Sequence, residues 1–180
     1  MEYLVAVLLV LFVWGVMLFN RLVQRKNQVS QAWSDIDVQL KRRHDLIPKL
    51  VDAVTAYTHY ERSTLDLITR LRTEVELIEL PSHKAELERE LSAQVGRLIA
   101  VAEDYPDLKA GKQYLELLQQ LTEVENHIQY ARRYYNGSVR DLNVRIDSFP
   151  DTIVAGMFGF RHAEFFELES SLESKPPELS

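Results

Sequence analysis

Apolar side chains fill nearly every position from Tyr3 to Phe19, YLVAVLLVLFVWGVMLF, and past Arg21 they become sparse and periodic. At about 1.5 Å per helical residue the first run reaches about 26 Å, close to a hydrocarbon core of roughly 30 Å, and Leu22 and Val23 extend it when Arg21 snorkels. From residue 20 to Phe149 apolar positions recur at alternating spacings of three and four, which puts them on one face of a helix. One stripe is Val29, Trp33, Ile36 and Leu40, and a second runs from Leu50 through Val54, Tyr57, Glu61, Leu65, Ile68, Leu71 and Val75 to Ile78. A third joins Leu87, Leu91, Val95, Leu98 and Ala102. The longest passes from Tyr114 through Leu121, Glu125, Ile128, Tyr135, Val139 and Leu142 to Phe149.

The interruptions are legible too. Asp45 can cap a helix with Pro48 in its first turn, where a missing N–H costs nothing; a helix carried through Pro48 with a kink is the competing reading. Further breaks fall at Leu80-Pro81-Ser82, with Ser82 as N-cap, at Tyr105-Pro106-Asp107 through Gly111, and at Phe149-Pro150. The pattern predicts four helices, about 20–44, 46–80, 83–104 and 110–149. The first continues the apolar run, because nothing between Phe19 and Asn27 breaks a helix. The fold expected is all-α: an N-terminal transmembrane helix continuous with an up-and-down left-handed four-helix bundle, then a short aromatic-rich segment. The divisions are an anchor over 1–23, a bundle over 24–149, the aromatic segment over 150–169 and a polar, disordered tail over 170–180.

The first run reads as a membrane anchor, carried by Tyr3, Leu4, Val5, Leu8, Leu9, Leu11, Phe12, Trp14 and Phe19. A cleaved signal peptide would place its positive charge before the apolar core, keep that core shorter and follow it with a small-x-small site. Here the charge follows, as Arg21, Arg25 and Lys26. Basic residues beside a span stay on the cytoplasmic side, so the N-terminus is expected outside and the body in the cytoplasm. Short connections make successive helices antiparallel, so the last helix is expected to end facing the bilayer near Phe149. The segment after it concentrates Met157, Phe158, Phe160, Phe165 and Phe166. It either meets the membrane or a neighbouring copy, or folds back over the end of the bundle.

Composition agrees with a polar body on one tether: 27% of residues are charged, and the net charge is −6. An acidic chain without a basic face is not expected to bind nucleic acid. With no cysteine, disulfides and thiolate metal sites are excluded. A carboxylate-bridged di-metal bundle needs Glu-x-x-His pairs, and none of His44, His59, His83, His127 or His162 has Glu three residues before it. Glu123 and His127, at i and i+4, read as a surface pair. Neither G-x-S-x-G nor a glycine-rich phosphate loop occurs, and Ser138 is simply a serine on a helix. Asn136-Gly137 marks a kink or a close helix contact. No catalytic, cofactor or metal site is therefore expected. Polar residues on the apolar stripes, Glu61 and Glu125 with Arg132 and Asn136 nearby, should pair with Arg43, Arg132 or a Tyr hydroxyl in a buried network that fixes helix register. Lys41, Arg42 and Arg43 point in three directions and suit solvent or a partner.

Three stretches, Trp33 to Glu61, Ala102 to Pro150 and AGMFGF at Ala155 to Phe160, closely resemble the LemA family of bacterial membrane proteins. The resemblance implies an extracytoplasmic N-terminus, one span of the cytoplasmic membrane and a cytoplasmic up-and-down helical bundle. It implies no reaction, since the family brings no established catalytic residues, and some relatives are associated with membrane organisation. The function expected is a non-catalytic scaffold or self-assembling membrane organiser, with the bilayer and other copies of the chain as partners. An adaptor or regulator of another membrane protein, such as a protease, is the alternative, and a metal-dependent enzyme comes third.

Overall fold

The computed structural model of the chain describes residues 1–56, 62–78 and 80–166, without the side chains of 62 and 63. Those residues are helical apart from turns and one extended C-terminal stretch, and among them there is no strand. The helices are α1 (Glu2–Thr55), α2 (Arg62–Leu77), α3 (Pro81–Ala102), α4 (Pro106–Lys109), α5 (Lys112–Asp147) and α6 (Asp151–Phe158). The all-α class and the N-terminal apolar helix agree with the sequence pattern.

The break expected at Asp45 does not occur, and α1 runs through Pro48. Pro48 removes only the bond to the carbonyl of His44. Against that loss, Ile36, Leu40, Ile47, Leu50 and Val54 form one buried stripe in which Arg43 and His44 fill the intervening turn. Packing of a continuous face outweighs one missing hydrogen bond. Ser82 is not the cap of α3 either: Leu80 takes that position, with Pro81 in the first turn. Gly137 lies on an exposed side of an unbroken α5, where an added Cβ would meet nothing within 4 Å, so it marks no close helix contact. Phe149, placed on the last buried stripe, is 79% exposed, because α5 has already ended at Asp147. Tyr57, Glu61 and the 170–180 tail lie outside the described residues.

The structure divides into two compact units, and α1 and α5 each contribute a segment to both. The first unit contains Met1–Asp35 and Ala131–Glu164. Leu18, Leu22, Val29 and Ala32 of α1, Tyr135, Val139, Leu142 and Ile146 of α5, and Val154 and Ala155 of α6 are its buried apolar residues. The rings of Trp33 and Tyr135 meet with centroids 5.4 Å apart. α6 ends at Gly159, whose φ of 70° is available to glycine without Cβ strain, and the Phe160 N–H then reaches the Ala155 carbonyl at 2.9 Å.

Beyond that cap the chain runs back along α5 and is fastened at three points. His162 meets Asp147 at 2.9 Å, and the Tyr135 hydroxyl donates to the Glu164 carbonyl at 2.8 Å. Burial first, and the Glu164 carboxylate second, push Tyr135 up to about 12, so the hydroxyl remains a donor. Between them, Asn143 makes a reciprocal clip: its Nδ2 donates to the Ala163 carbonyl at 3.0 Å, and the Ala163 N–H donates to its Oδ1 at 2.9 Å.

The second unit contains Ile36–Tyr130 together with Phe165 and Phe166 among the described residues. Its core gathers Ile36, Leu40, Ile47, Leu50 and Val54 from α1, Ile68, Leu71 and Val75 from α2, Leu91 and Leu98 from α3, and Leu121, Val124 and Ile128 from α5. α2 and α3 pack on each other across the short connection at 78–80. Phe166 is 2% exposed.

The Asn143 clip gives a direct test. Asn143→Leu keeps the volume but leaves both backbone groups of Ala163 without their side-chain partner. Urea unfolding of the full chain in detergent is expected to show a loss of about 1–3 kcal/mol. Amide exchange at Ala163 should accelerate while that of Leu142 at the core does not; equal protection in both proteins would refute the role of the clip.

Candidate functional site

Two regions of the molecule bring functional side chains together, one in each unit. In the first unit the apolar segment of α1 is bare: Leu8, Leu9 and Phe12 are 57, 59 and 68% exposed, and Tyr3, Leu4, Val5, Leu11 and Trp14 are exposed with them. It is the one helix among the described residues long and apolar enough to cross a membrane. Cover begins at Leu18, which is 5% exposed, and Leu22 is fully buried. Phe19 lies at that transition, its ring centroid 4.8 Å from that of Phe158 and 5.8 Å from that of Phe160. Of the basic flank, Arg25 reaches Gln28 at 3.0 Å and Asp141 at 3.2 Å, whereas Arg21 and Lys26 are exposed.

The aromatic segment is thereby split. Met157 and Phe158 are exposed, Phe160 and Phe165 are half-buried, and Phe166 is buried in the other unit. The segment is divided because a short helix with a cap at Gly159 turns some side chains outward and carries others back.

In the second unit a polar cluster interrupts the core. Arg43 is 6% exposed and donates through Nη2 to the Glu88 carboxylate and, at 3.3 Å, to the Glu88 carbonyl. Its Nη1 donates to Ser92 Oγ at 2.7 Å and to Glu125 Oε2 at 3.1 Å. The other Glu88 oxygen meets His44 Nε2 at 2.9 Å. Burial above all, then the charges of Arg43, Lys84 and Arg72, lower His44 to about 4, against a smaller opposing pull from Asp45. The imidazole is neutral at neutral pH, and its contact with a carboxylate assigns the proton to Nε2. Lys84 reaches Asp37 at 2.7 Å beside this group.

Of the residues singled out for a buried network, Arg43 and Glu125 meet here. Arg132 and Asn136 are half-buried in the first unit, and Glu61 lies outside the described residues. Glu88 and His44 were not identified from the sequence. Glu88 stands three before Leu91 on the stripe, the same signal that marked Glu125, but Leu87 takes its place when the stripe is drawn from apolar residues alone. Glu123 and His127 form an exposed i, i+4 pair at 3.7 Å. Ser138 donates to the Tyr134 carbonyl at 2.9 Å, one turn back on its own helix. Among the described residues no three His, Asp or Glu side chains gather as metal ligands would.

The cluster holds one buried carboxylate between a guanidinium and a neutral imidazole, which fixes α1 against α3 and α5. Glu88→Gln removes the buried carboxylate that Arg43 contacts and is expected to cost about 3–5 kcal/mol, whereas Glu125→Gln, at a half-exposed carboxylate, should cost about 1 kcal/mol or less. Equal losses in urea unfolding would contradict this ranking. As pH falls from about 6.5 towards about 4, the unfolded chain binds a proton at His44 that the folded chain refuses, so stability is full above this window and declines through it. The decline is expected to be on the order of 3 kcal/mol and to flatten in His44→Gln, as followed by unfolding at a series of pH values.

The chain matches the model of the LemA family over residues 32–180. Protein LemA of Metamycoplasma hominis is 30% identical, over 82% of this chain and 68% of that protein. Magnetosome protein MamQ 2 of Paramagnetospirillum magneticum is 26% identical, over 84% of this chain and 65% of that protein. Magnetosome protein MamQ of Magnetospirillum gryphiswaldense is 32% identical over a shorter stretch, 40% of this chain and 26% of that protein. The chain thus spans about two thirds of the length of the first two relatives. On a family match that extends from Ala32 through both packed units, the chain belongs to the LemA family.

Proposed function

We propose that this chain is a single-pass membrane protein that works as a non-catalytic scaffold, organising membrane through self-assembly. The observation that carries the reading is the division of labour within α1. Its first turns present apolar side chains with no protein cover, and from Leu18 onward the same unbroken helix supplies core residues to its unit. A helix of that kind holds its packed part in a fixed orientation to the bilayer, because no hinge lies between lipid-facing and protein-facing turns. Arg21, Arg25 and Lys26 put the packed body on the cytoplasmic side by the positive-inside rule, leaving the N-terminus outside. The polar groups drawn into the interior are used in fixing helices to one another, which supports a structural role. Similarity to proteins named for magnetosomes is in keeping with a part in building a cellular structure.

Self-assembly is checked by crosslinking the full chain in native membranes and weighing it in mild detergent. Homomeric species, several copies in number, are the expected result. A uniform monomer would remove the self-assembling reading, and a stoichiometric complex with another membrane protein would replace it with that of an adaptor.

A further inference from the structure

α6 exposes the wrong side chains for a helix facing water. Asp151, Val154 and Ala155 are its buried residues, with Asp151 held at 3.3 Å from Arg145. Its outward side chains include Ile153 and Met157, 55 and 75% exposed and four residues apart on one stripe, and Phe158, 61% exposed. Phe149, just before the helix, is 79% exposed. A soluble helix turns such residues inward and its charges outward; α6 turns its only charge inward.

The position of this surface identifies what covers it. Phe158 packs at a tilt against Phe19, the last residue of the apolar run and two residues ahead of Arg21. The outward face of α6 is therefore continuous with the bare flank of the apolar helix, at the level where that flank gives way to basic residues. Arg21 follows Phe19 by two residues, Arg161 follows the Phe160 that packs on Phe19, and both, like Lys26, are exposed in a chain whose net charge is −6.

We propose that α6 is a second, non-spanning membrane element, lying in the interfacial layer on the basic side of the span with Ile153, Met157, Phe158 and Phe149 in the acyl-chain boundary. These basic residues then face anionic headgroups. Lipid suits this face better than a second copy of the chain. Four side chains of this size offer on the order of 400–500 Å², about half of the ~800 Å² per partner that a stable protein interface buries. Eight residues bind a membrane weakly alone, but the contact with Phe19 makes the encounter intramolecular and removes most of the entropic cost.

The proposal rests on the reading of the Tyr3–Phe19 run as a span, and the test separates the two. The chain has no cysteine, so nitroxide labels can be placed singly through Val10→Cys, Asn27→Cys, Ile153→Cys and Met157→Cys in the full chain, all at exposed positions. Each variant is reconstituted in phosphatidylcholine–phosphatidylglycerol vesicles, its helicity checked by circular dichroism, and its accessibility to oxygen and to a water-soluble nickel chelate compared. Labels on Ile153→Cys and Met157→Cys are expected to favour oxygen severalfold, as on Val10→Cys, while the label on Asn27→Cys favours the chelate. Water-like labels at both α6 positions, with the Val10→Cys label in lipid, would overturn the proposal and leave the span standing. Labels shielded from both reagents and broadened by a neighbouring copy would overturn it in favour of self-association. A water-exposed Val10→Cys label would remove the span and the proposal together.

Discussion

Between Met17 and Leu22 a single helix exchanges one kind of surroundings for another without a break in its backbone hydrogen bonds. Upstream, the side chains need a medium that accepts apolar surface on all sides; downstream, one stripe is covered by protein and the rest is polar. A helix is suited to both because its backbone is satisfied internally, whatever lies around it. The remaining features of the first unit follow from that continuity: Leu18 and Leu22 are buried in the unit that also contains segments of α5 and α6, and Phe19 is left against Phe158 and Phe160.

The polar cluster in the second unit illustrates a different balance. Burying Glu88 with Arg43 is costly in desolvation and is offset by hydrogen bonds from Arg43 and His44. An apolar replacement of similar volume would pack as well, but it would not distinguish one axial register of α1 against α3 from another. Arg43 and His44 also occupy the turn whose carbonyl Pro48 leaves without its usual partner, so the helix is held by side chains where its backbone ladder is interrupted.

The apolar run, the breaks at Pro81, Pro106 and Pro150, and most of the stripes were legible in the sequence because each depends on local spacing. What failed did so where a tertiary contact outweighed a local signal. Asp45 and Pro48 look like a helix start, yet the stripe from Ile36 to Val54 continues once Arg43 and His44 are counted as core residues. Glu88 is not legible as a core residue for the same reason, since a charged residue is admitted to a core only by a partner that is remote in sequence. The spacing of Phe149 fits an inward position, but spacing ceases to matter once the helix has ended. The aromatic segment could be located but not divided, because the turn at Gly159 decides which rings face out.

The first unit is assembled from Met1–Asp35 and Ala131–Glu164, with Ile36–Tyr130 of the second lying between them in sequence. Phe19 and Phe158 are among the earliest and latest of these residues to leave the ribosome. The apolar run is thus available for insertion long before its packing partners exist, whereas the helices of Ile36–Tyr130 can meet as soon as they are made. Order of synthesis therefore separates the two tasks of α1: it acts first as an isolated apolar helix, and becomes part of a folded unit only when the last turn of α6 arrives. A truncation anywhere between Tyr130 and Ala155 would leave the α1 segment of the first unit without part or all of its other half.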